Sequence, residues 1–263
     1  MGRILIVSKV GQLAEYKNIA EEYGVAFEMN DFYNPDVLDD EKVQKDIMES
    51  YKKAGIPIGS TMHGAFLDVT VFSQDRRIRE ISRLRMEQSM EIANELSLTA
   101  VVFHSNANPF LKDTEYEDSV IEETAAYLEE LLERFPRQNI YLENMFDEKP
   151  DIITAISKRL KQYPNYGICF DYAHANVFGT NLSEWVEAVA PYTKHIHIND
   201  NDLRQDLHLA LGDGQIIWKE FDRYYKQYFR GCSVLIETTE LALQKRSLEY
   251  IKHQLSCLSQ ELL

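Results

Sequence analysis

Carboxylate and imidazole side chains stand near the ends of short apolar runs in this sequence, where they could bind a divalent metal ion. All of the seven histidines except His253 lie in or just after such runs. Four successive runs carry, near their ends, Glu143, Asp171, His197 and Glu237. Three carboxylates and one imidazole form an oxygen-rich ligand set that suits Mn2+, Mg2+, Co2+ or Zn2+. We therefore expect these four residues to bind at least one divalent metal ion.

A second set of polar residues is expected around the first four, and its nitrogen-rich character would suit zinc. Its members are His63, His104, His174, Asp206 and His208. The first two, together with Glu143, would form a second metal site, and the last three would form a third. The alternative is that these histidines hydrogen-bond substrate hydroxyls or a phosphate. His195 precedes His197 by two residues and is interpreted as interior packing or as support behind a ligand.

Burial is the physical reason to expect a metal ion and not isolated polar residues. A carboxylate or imidazole in an enclosed site costs several kcal/mol unless it is paired. One shared cation satisfies several such groups at once. A network of hydrogen bonds between the same residues is the alternative.

The elements that must position these residues follow a repeating order. Eight short runs rich in Val, Ile or Phe each lead towards a helical pattern, as in repeated βα units. The runs cover 3–8, 25–31, 56–63, 100–104, 140–145, 167–171, 195–200 and 233–238, and clear amphipathic helices are predicted at 75–96 and 116–135. We expect a single-domain α/β fold over residues 1–263, a (β/α)8 TIM barrel. Catalytic groups of such barrels lie at the carboxyl ends of the strands.

A doubly wound open sheet is the competing architecture for alternating strands and helices. Such a sheet normally has a glycine-rich phosphate loop after its first strand. Here the first run continues as Val7-Ser8-Lys9-Val10-Gly11, without that pattern. The barrel is therefore favoured.

Composition limits the class of protein and its partners. Asp and Glu number 43 against 28 Lys and Arg, and the formal net charge of -15 argues against nucleic acid as a partner. Cys169, Cys232 and Cys257 are too scattered for a disulfide framework, which indicates buried thiols in a reducing compartment. No run approaches the roughly 18 apolar residues of a membrane helix. We expect a cytoplasmic protein without a membrane segment. The sequence does not decide whether it forms a homo-oligomer.

Several stretches together resemble the xylose isomerase-like barrel superfamily, which includes sugar isomerases, sugar epimerases and abasic-site nucleases of the endonuclease IV type. The stretches cover 63–68, 102–104, 142–144, 169–174 and 195–200, so the likeness extends over nearly the whole chain. In the epimerase branch, the resemblance implies that Glu143, Asp171, His197 and Glu237 bind one metal. It also implies that the two glutamates serve as acid and base.

The resulting hypothesis is a metal-dependent isomerase or epimerase that acts on a sugar, a sugar phosphate or a related hydroxy-carbonyl compound. The metal would stabilise an enediolate while Glu143 and Glu237 remove and return a proton. Arg204 is a candidate for pairing with a phosphate or hydroxyl, the alternative being a solvated loop charge. Phe66 and Phe110 are candidates for an apolar wall, the alternative being core packing.

An endonuclease IV-like enzyme with three zinc ions that cleaves abasic DNA is the second hypothesis. The nuclease branch uses nine ligands, and the resemblance offers a candidate at each: His63, His104, Glu143, Asp171, His174, His197, Asp206, His208 and Glu237. The loops at 9–13 and 32–38 argue against it, because they lack the basic, wedge-forming character that grips a duplex. The stretch 105–109 also lacks the proline-glycine that follows the corresponding histidine in the nucleases. Sugar chemistry is therefore ranked first.

Overall fold

The computed structural model describes residues 3–66 and 68–262, so that residue 67, inside the stretch 63–68, lies outside the described part. Within that part, eight parallel strands close into a barrel in chain order, and the last strand pairs with the first. The strands are β1 Ile4–Ser8, β2 Ala26–Met29, β3 Thr61–His63, β4 Ala100–His104, β5 Asn139–Glu143, β6 Tyr166–Asp171, β7 Thr193–Ile198 and β8 Ser233–Ile236. The predicted (β/α)8 barrel is confirmed.

Helices surround the barrel, and several begin at side chains that cap free backbone N–H groups. Asp75 accepts from the N–H of Arg77, and Asp113 accepts from the N–H of Tyr116, which fixes the starts of the two longest helices. Both begin and end within two residues of their predicted limits. The helices are α1 Leu13–Tyr23, α2 Pro35–Asp39, α3 Glu41–Ala54, α4 Arg76–Glu95, α5 Thr114–Arg134, α6 Asp151–Leu160, α7 Tyr172–Val177, α8 Leu182–Val189, α9 Trp218–Tyr228 and α10 Leu241–Gln254.

The third predicted run is the least accurate, since only Thr61–His63 of 56–63 forms a strand. Its first half makes a turn in which the N–H of Ser60 donates to the carbonyl of Pro57 at 3.2 Å. Gly59 has a φ of 89°, and the side chain of Ile58 points into solvent. Proline and glycine stop the strand here, although the run is apolar.

Alternate strand residues point into the barrel, and the register shows which ones. Leu5, Val7, Ala26 and Leu235 pack together as one interior cluster, and Ala100, Val102, Tyr141 and Cys169 form another. Strand residues of the opposite parity join the main core between barrel and helices. These two interior clusters are mainly apolar, while the carboxyl-end rim carries most of the polar residues predicted to do chemistry.

No helix in the described chain has both the length and the apolar character that a bilayer crossing requires.

Candidate metal centre

The four residues predicted as metal ligands lie on four consecutive strands at the carboxyl-end rim. Glu143 ends β5, Asp171 ends β6, His197 lies in β7, and Glu237 directly follows β8. The register pairs Asp171 with His197, so both side chains lie in one layer. The N–H of Glu237 donates to the carbonyl of Ile198 at 2.9 Å and extends the pairing of β7 with β8. These four residues are called the strand group below.

The side chains of the strand group converge on one point. One ligand atom from each residue lies within 4.8 Å of the others. His197 Nδ1 is 3.3 Å from Glu143 Oε1 and 3.6 Å from Glu237 Oε1. Several atoms of the strand group are buried without a hydrogen-bond partner in the described part of the chain. They are both Glu143 oxygens, Asp171 Oδ2, His197 Nδ1 and Glu237 Oε2. Each unpaired buried polar group costs about 1–3 kcal/mol, so this arrangement fits a shared positive ion.

Charge in the strand group is also unbalanced. Burial raises the pKa of Asp171 well above its ordinary value, and the carboxylates of Glu237 and Glu143 add to the shift. Burial also opposes ionisation of Glu143, but His197 outweighs it and holds the Glu143 pKa well below the usual range. A divalent cation would stabilise the ionised form of all three carboxylates at once. The donor set fits a hard divalent metal ion.

A second set of atoms meets at the other side of Glu143, and we call it the paired-histidine group. His63 Nε2 lies 3.2 Å from His104 Nε2, and Glu143 Oε2 lies 3.4 Å and 3.6 Å from them. The carbonyl of Gly64 accepts from His63 Nδ1 at 3.0 Å, which leaves a lone pair on Nε2. Burial lowers the pKa of His104 to about 3, so this imidazole is neutral. Two imidazole nitrogens and one carboxylate at these separations suit zinc.

The third predicted set, the loop group of His174, Asp206 and His208, is arranged differently. Asp206 Oδ2 lies 2.7 Å from His208 Nε2 and 3.3 Å from His174 Nε2. Backbone carbonyls of Asn144 and Glu237 accept from the two Nδ1 atoms, so both Nε2 atoms face the carboxylate. Burial opposes the charge on His208, but Glu237 and Asp206 raise its pKa to about 10. Protonated imidazoles and Asp206 can therefore pair without a metal.

Comparison with known proteins shows the family of the chain. The family model described as xylose isomerase-like TIM barrel matches residues 17–255. The chain belongs to this family. Among solved structures of the same fold, a D-tagatose 3-epimerase-like protein has a TM-score of 0.76 at 24% identity, over 98% of this chain and 99% of that one. A protein of Thermus thermophilus, soaked with ZnCl2, has a TM-score of 0.72 at 21% identity, over 94% of this chain and 98% of that one.

Relatives by sequence include an uncharacterized protein and a probable endonuclease. The uncharacterized protein MJ1311 of Methanocaldococcus jannaschii is 28% identical over 211 residues, which is 76% of this chain and 71% of that protein. A probable endonuclease 4 of Halorhodospira halophila is 26% identical, covering 63% of each chain. The similarity to the solved structures establishes the fold alone. The chemistry of the protein is inferred from the residues of the site.

The residues predicted to contact substrate differ in how exposed they are in the loops at the rim of the barrel. Phe66 lies beside the paired-histidine group, with its ring centroid 5.1 Å from that of His63 and 5.3 Å from that of His104. Phe110 is 88% exposed. Arg204 is exposed on the loop after β7, where its backbone N–H donates to Asp202. Phe66 is therefore placed to form one wall of the site.

Sequence reasoning missed Glu28, a carboxylate inside the barrel on β2. Its oxygens lie 3.2 Å from His195 Nε2 and 3.2 Å from His197 Nε2. The signal available was a lone acidic residue in an otherwise apolar strand. Cys169 also lies close to the same two histidines, and burial raises the pKa of its thiol well above the ordinary value. His195 is buried, as expected for an interior residue.

Proposed function

We propose that this protein is a divalent-metal-dependent isomerase or epimerase of a small sugar, sugar phosphate or related hydroxy-carbonyl compound. The observation that supports this most directly is the position of two glutamates, Glu143 on β5 and Glu237 after β8, on either side of His197. Both carboxylates border the same convergent cluster. A substrate carbon held there would have a proton acceptor on two sides.

The strand group would hold the cation, with His197 contributing Nδ1 and the carboxylates contributing one oxygen each. Such an ion supplies Lewis acidity that stabilises the negative charge that develops on adjacent substrate oxygens as an enediolate forms. Mn2+, Co2+, Zn2+ and Mg2+ are all compatible with three carboxylates and one imidazole. The remaining steps belong to residues of the chain.

Glu143 and Glu237 would act as the acid and base. Glu143 is fully buried and its oxygens lack hydrogen bonds within the described residues, while the side chain of Glu237 is 16% exposed at the rim. One glutamate removes the proton next to the carbonyl and the other returns it. Return to the opposite face of the same carbon gives an epimer, and return to the neighbouring carbon gives an isomer.

Other residues at the rim would orient the substrate. His174 and His208 present nitrogen atoms that could bind sugar hydroxyls when no metal occupies the loop group. Phe66 would exclude water from one side of the reacting carbon. Arg204 is exposed on the same rim loop as Asp206 and is the candidate partner of a substrate phosphate.

Solvent deuterium exchange tests the acid-base assignment. Incubation in deuterated water with ketoses, their phosphates and cyclic ketones should place deuterium at the carbon next to the carbonyl of the true substrate. Glu143→Gln and Glu237→Gln should reduce exchange by about 10²–10⁴-fold. Glu130→Gln, an exposed glutamate on α5, is the matched control. Turnover without deuterium incorporation would contradict the two-glutamate mechanism.

A second candidate function is zinc-dependent cleavage of abasic DNA, and the paired-histidine group favours it. His63, His104 and Glu143 stand at separations that suit a further zinc ion beside the strand group. The match to a probable endonuclease 4 also supports this candidate. Three zinc ions per chain with incision of an abasic duplex would establish it. Metal confined to the strand group, with no incision, would favour the sugar enzyme.

A further inference from the structure

Glu28 is a buried carboxylate whose surroundings are unusually rich in hydrogen-bond donors. It is 1% exposed in the middle of β2, and the register places it level with Thr61 of β3. The hydroxyl of Thr61 donates to Glu28 Oε2 at 2.7 Å. A carboxylate at this depth costs several kcal/mol unless positive charge or donors surround it. Glu28 therefore needs further hydrogen-bond donors for its remaining lone pairs.

Two imidazole rings of β7 lie beside the oxygens of Glu28. His195 Nε2 lies 3.2 Å from Glu28 Oε2, and His197 Nε2 lies 3.2 Å from Glu28 Oε1. Both Nε2 atoms are buried and neither makes a hydrogen bond of full geometry within the described residues, so the contacts with Glu28 are ion-pair distances. Glu28 therefore spans the two rings, with one oxygen directed at each. An ionised carboxylate only accepts hydrogen bonds, so its position favours a proton on each Nε2 atom.

The opposite nitrogen of each ring supports the same arrangement. His195 Nδ1 lies 2.7 Å from the hydroxyl of Ser233, which can donate to it. His197 Nδ1 has no hydrogen-bond partner among the described residues and faces Glu143 and Glu237. With its proton on Nε2, the neutral His197 ring presents the Nδ1 lone pair to the metal-ligand cluster. The opposite tautomer would direct a lone pair at the Glu28 carboxylate and a proton at the metal.

We propose that Glu28 is a positioning residue of the metal centre: it holds the Nε2 protons of His195 and His197, and so fixes the ring and tautomer with which His197 binds metal through Nδ1. Its charge also makes His197 a stronger donor to a cation. Carboxylates behind metal-bound histidines have this role in other proteins, and their loss typically weakens metal binding by roughly 10- to 100-fold. The proposal deepens the metal centre of the proposed function and rests on it.

Cobalt affinity tests the proposal without any substrate. Co2+ is titrated against a competing chelator into four metal-free proteins: the wild type, Glu28→Gln, Glu28→Ala and Glu28→Asp. Glu28→Gln and Glu28→Ala should bind Co2+ about 10- to 100-fold more weakly. Glu28→Asp keeps the negative charge and should recover part of the lost affinity. Glu130→Gln is the control for a change of charge on the exposed surface.

A spectroscopic measurement separates positioning from a purely structural role. In 1H–15N spectra of the Zn2+-loaded wild type, His197 should carry its proton on Nε2, and this signal should shift or disappear in Glu28→Ala. Thermal unfolding of the metal-free proteins shows whether each variant folds. A proton on His197 Nδ1 in the wild type would overturn the proposal. It would also be overturned if folded Glu28→Ala and Glu28→Gln bound Co2+ like the wild type, or if Glu28→Asp bound no better than Glu28→Ala.

The outcomes also separate this proposal from the proposed function. A wild type that binds no Co2+ contradicts the metal centre and the positioning role together. A wild type that binds Co2+ while the folded Glu28 variants bind it equally well contradicts the positioning role alone.

Discussion

The strand group and the loop group contain similar residue types but satisfy their charges in different ways. Among the buried atoms of the strand group, both oxygens of Glu143 lack a hydrogen-bond partner within the described chain. In the loop group, Asp206 contacts His208 at 2.7 Å and His174 at 3.3 Å. Strands hold ligands apart in fixed positions, whereas a loop lets opposite charges approach each other. The arrangement of the strand group therefore fits a shared cation, whereas the loop group can be satisfied by protons.

Removal of Asp171 should have the largest effect on metal binding. Asp171→Ala deletes one of the four strand-group ligands, and the affinity for Co2+ should fall by more than the roughly 100-fold upper range for residues behind a ligand. Chelator competition measures this loss. Asp118→Ala, at an exposed position on α5, should leave the affinity unchanged. An unchanged affinity in Asp171→Ala would show that the ligand assignment is wrong.

Changes in the paired-histidine group should have an intermediate effect. His63→Ala removes a neutral ligand of the second site but leaves the strand group complete, so only a second, zinc-selective ion should be lost. Elemental analysis after dialysis against Zn2+ measures the number of ions per chain. Loss of every ion in His63→Ala would indicate one shared centre and would remove the distinction between the two groups.

Changes in the loop group should have the smallest effect. This effect is on the unfolding free energy, and its size should depend on pH. The folded-state pKa of His208 is raised to about 10, so its pairing with Asp206 stabilises the metal-free protein fully below the ordinary histidine pKa. This contribution should shrink as the pH rises towards about 10. Urea unfolding of metal-free wild type and Asp206→Asn from about pH 6 to about pH 10 measures the difference. A difference that grows with pH would contradict the pairing.

The barrel and the strand group could be predicted from sequence because both depend on local patterns. Each ligand of the strand group follows an apolar run, and parallel strands bring their carboxyl ends to one rim. The stretch before Thr61 is a wrong strand prediction, because Pro57 and Gly59 turn the chain and outweigh the apolar residues around them.

The role of Glu28 could not be read from the sequence for a different reason. Its partners His195 and His197 lie far away along the chain, and only closure of the barrel brings β2 and β7 into contact across the interior. Residue types and spacing show which groups can bind metal. They do not show which nitrogen of an imidazole faces the metal, because that depends on the group behind the ring.

The metal content of the wild-type protein tests the central claim most directly. The protein is stripped with chelator, dialysed against Mn2+, Co2+ or Zn2+, passed through a desalting column and examined by elemental analysis and thermal unfolding. We expect about one tightly held ion or more per chain for at least one metal. A metal present at about 100 times its Kd should add about 2.7 kcal/mol to the unfolding free energy. Absence of retained metal together with an unchanged unfolding temperature for all three ions would contradict the account.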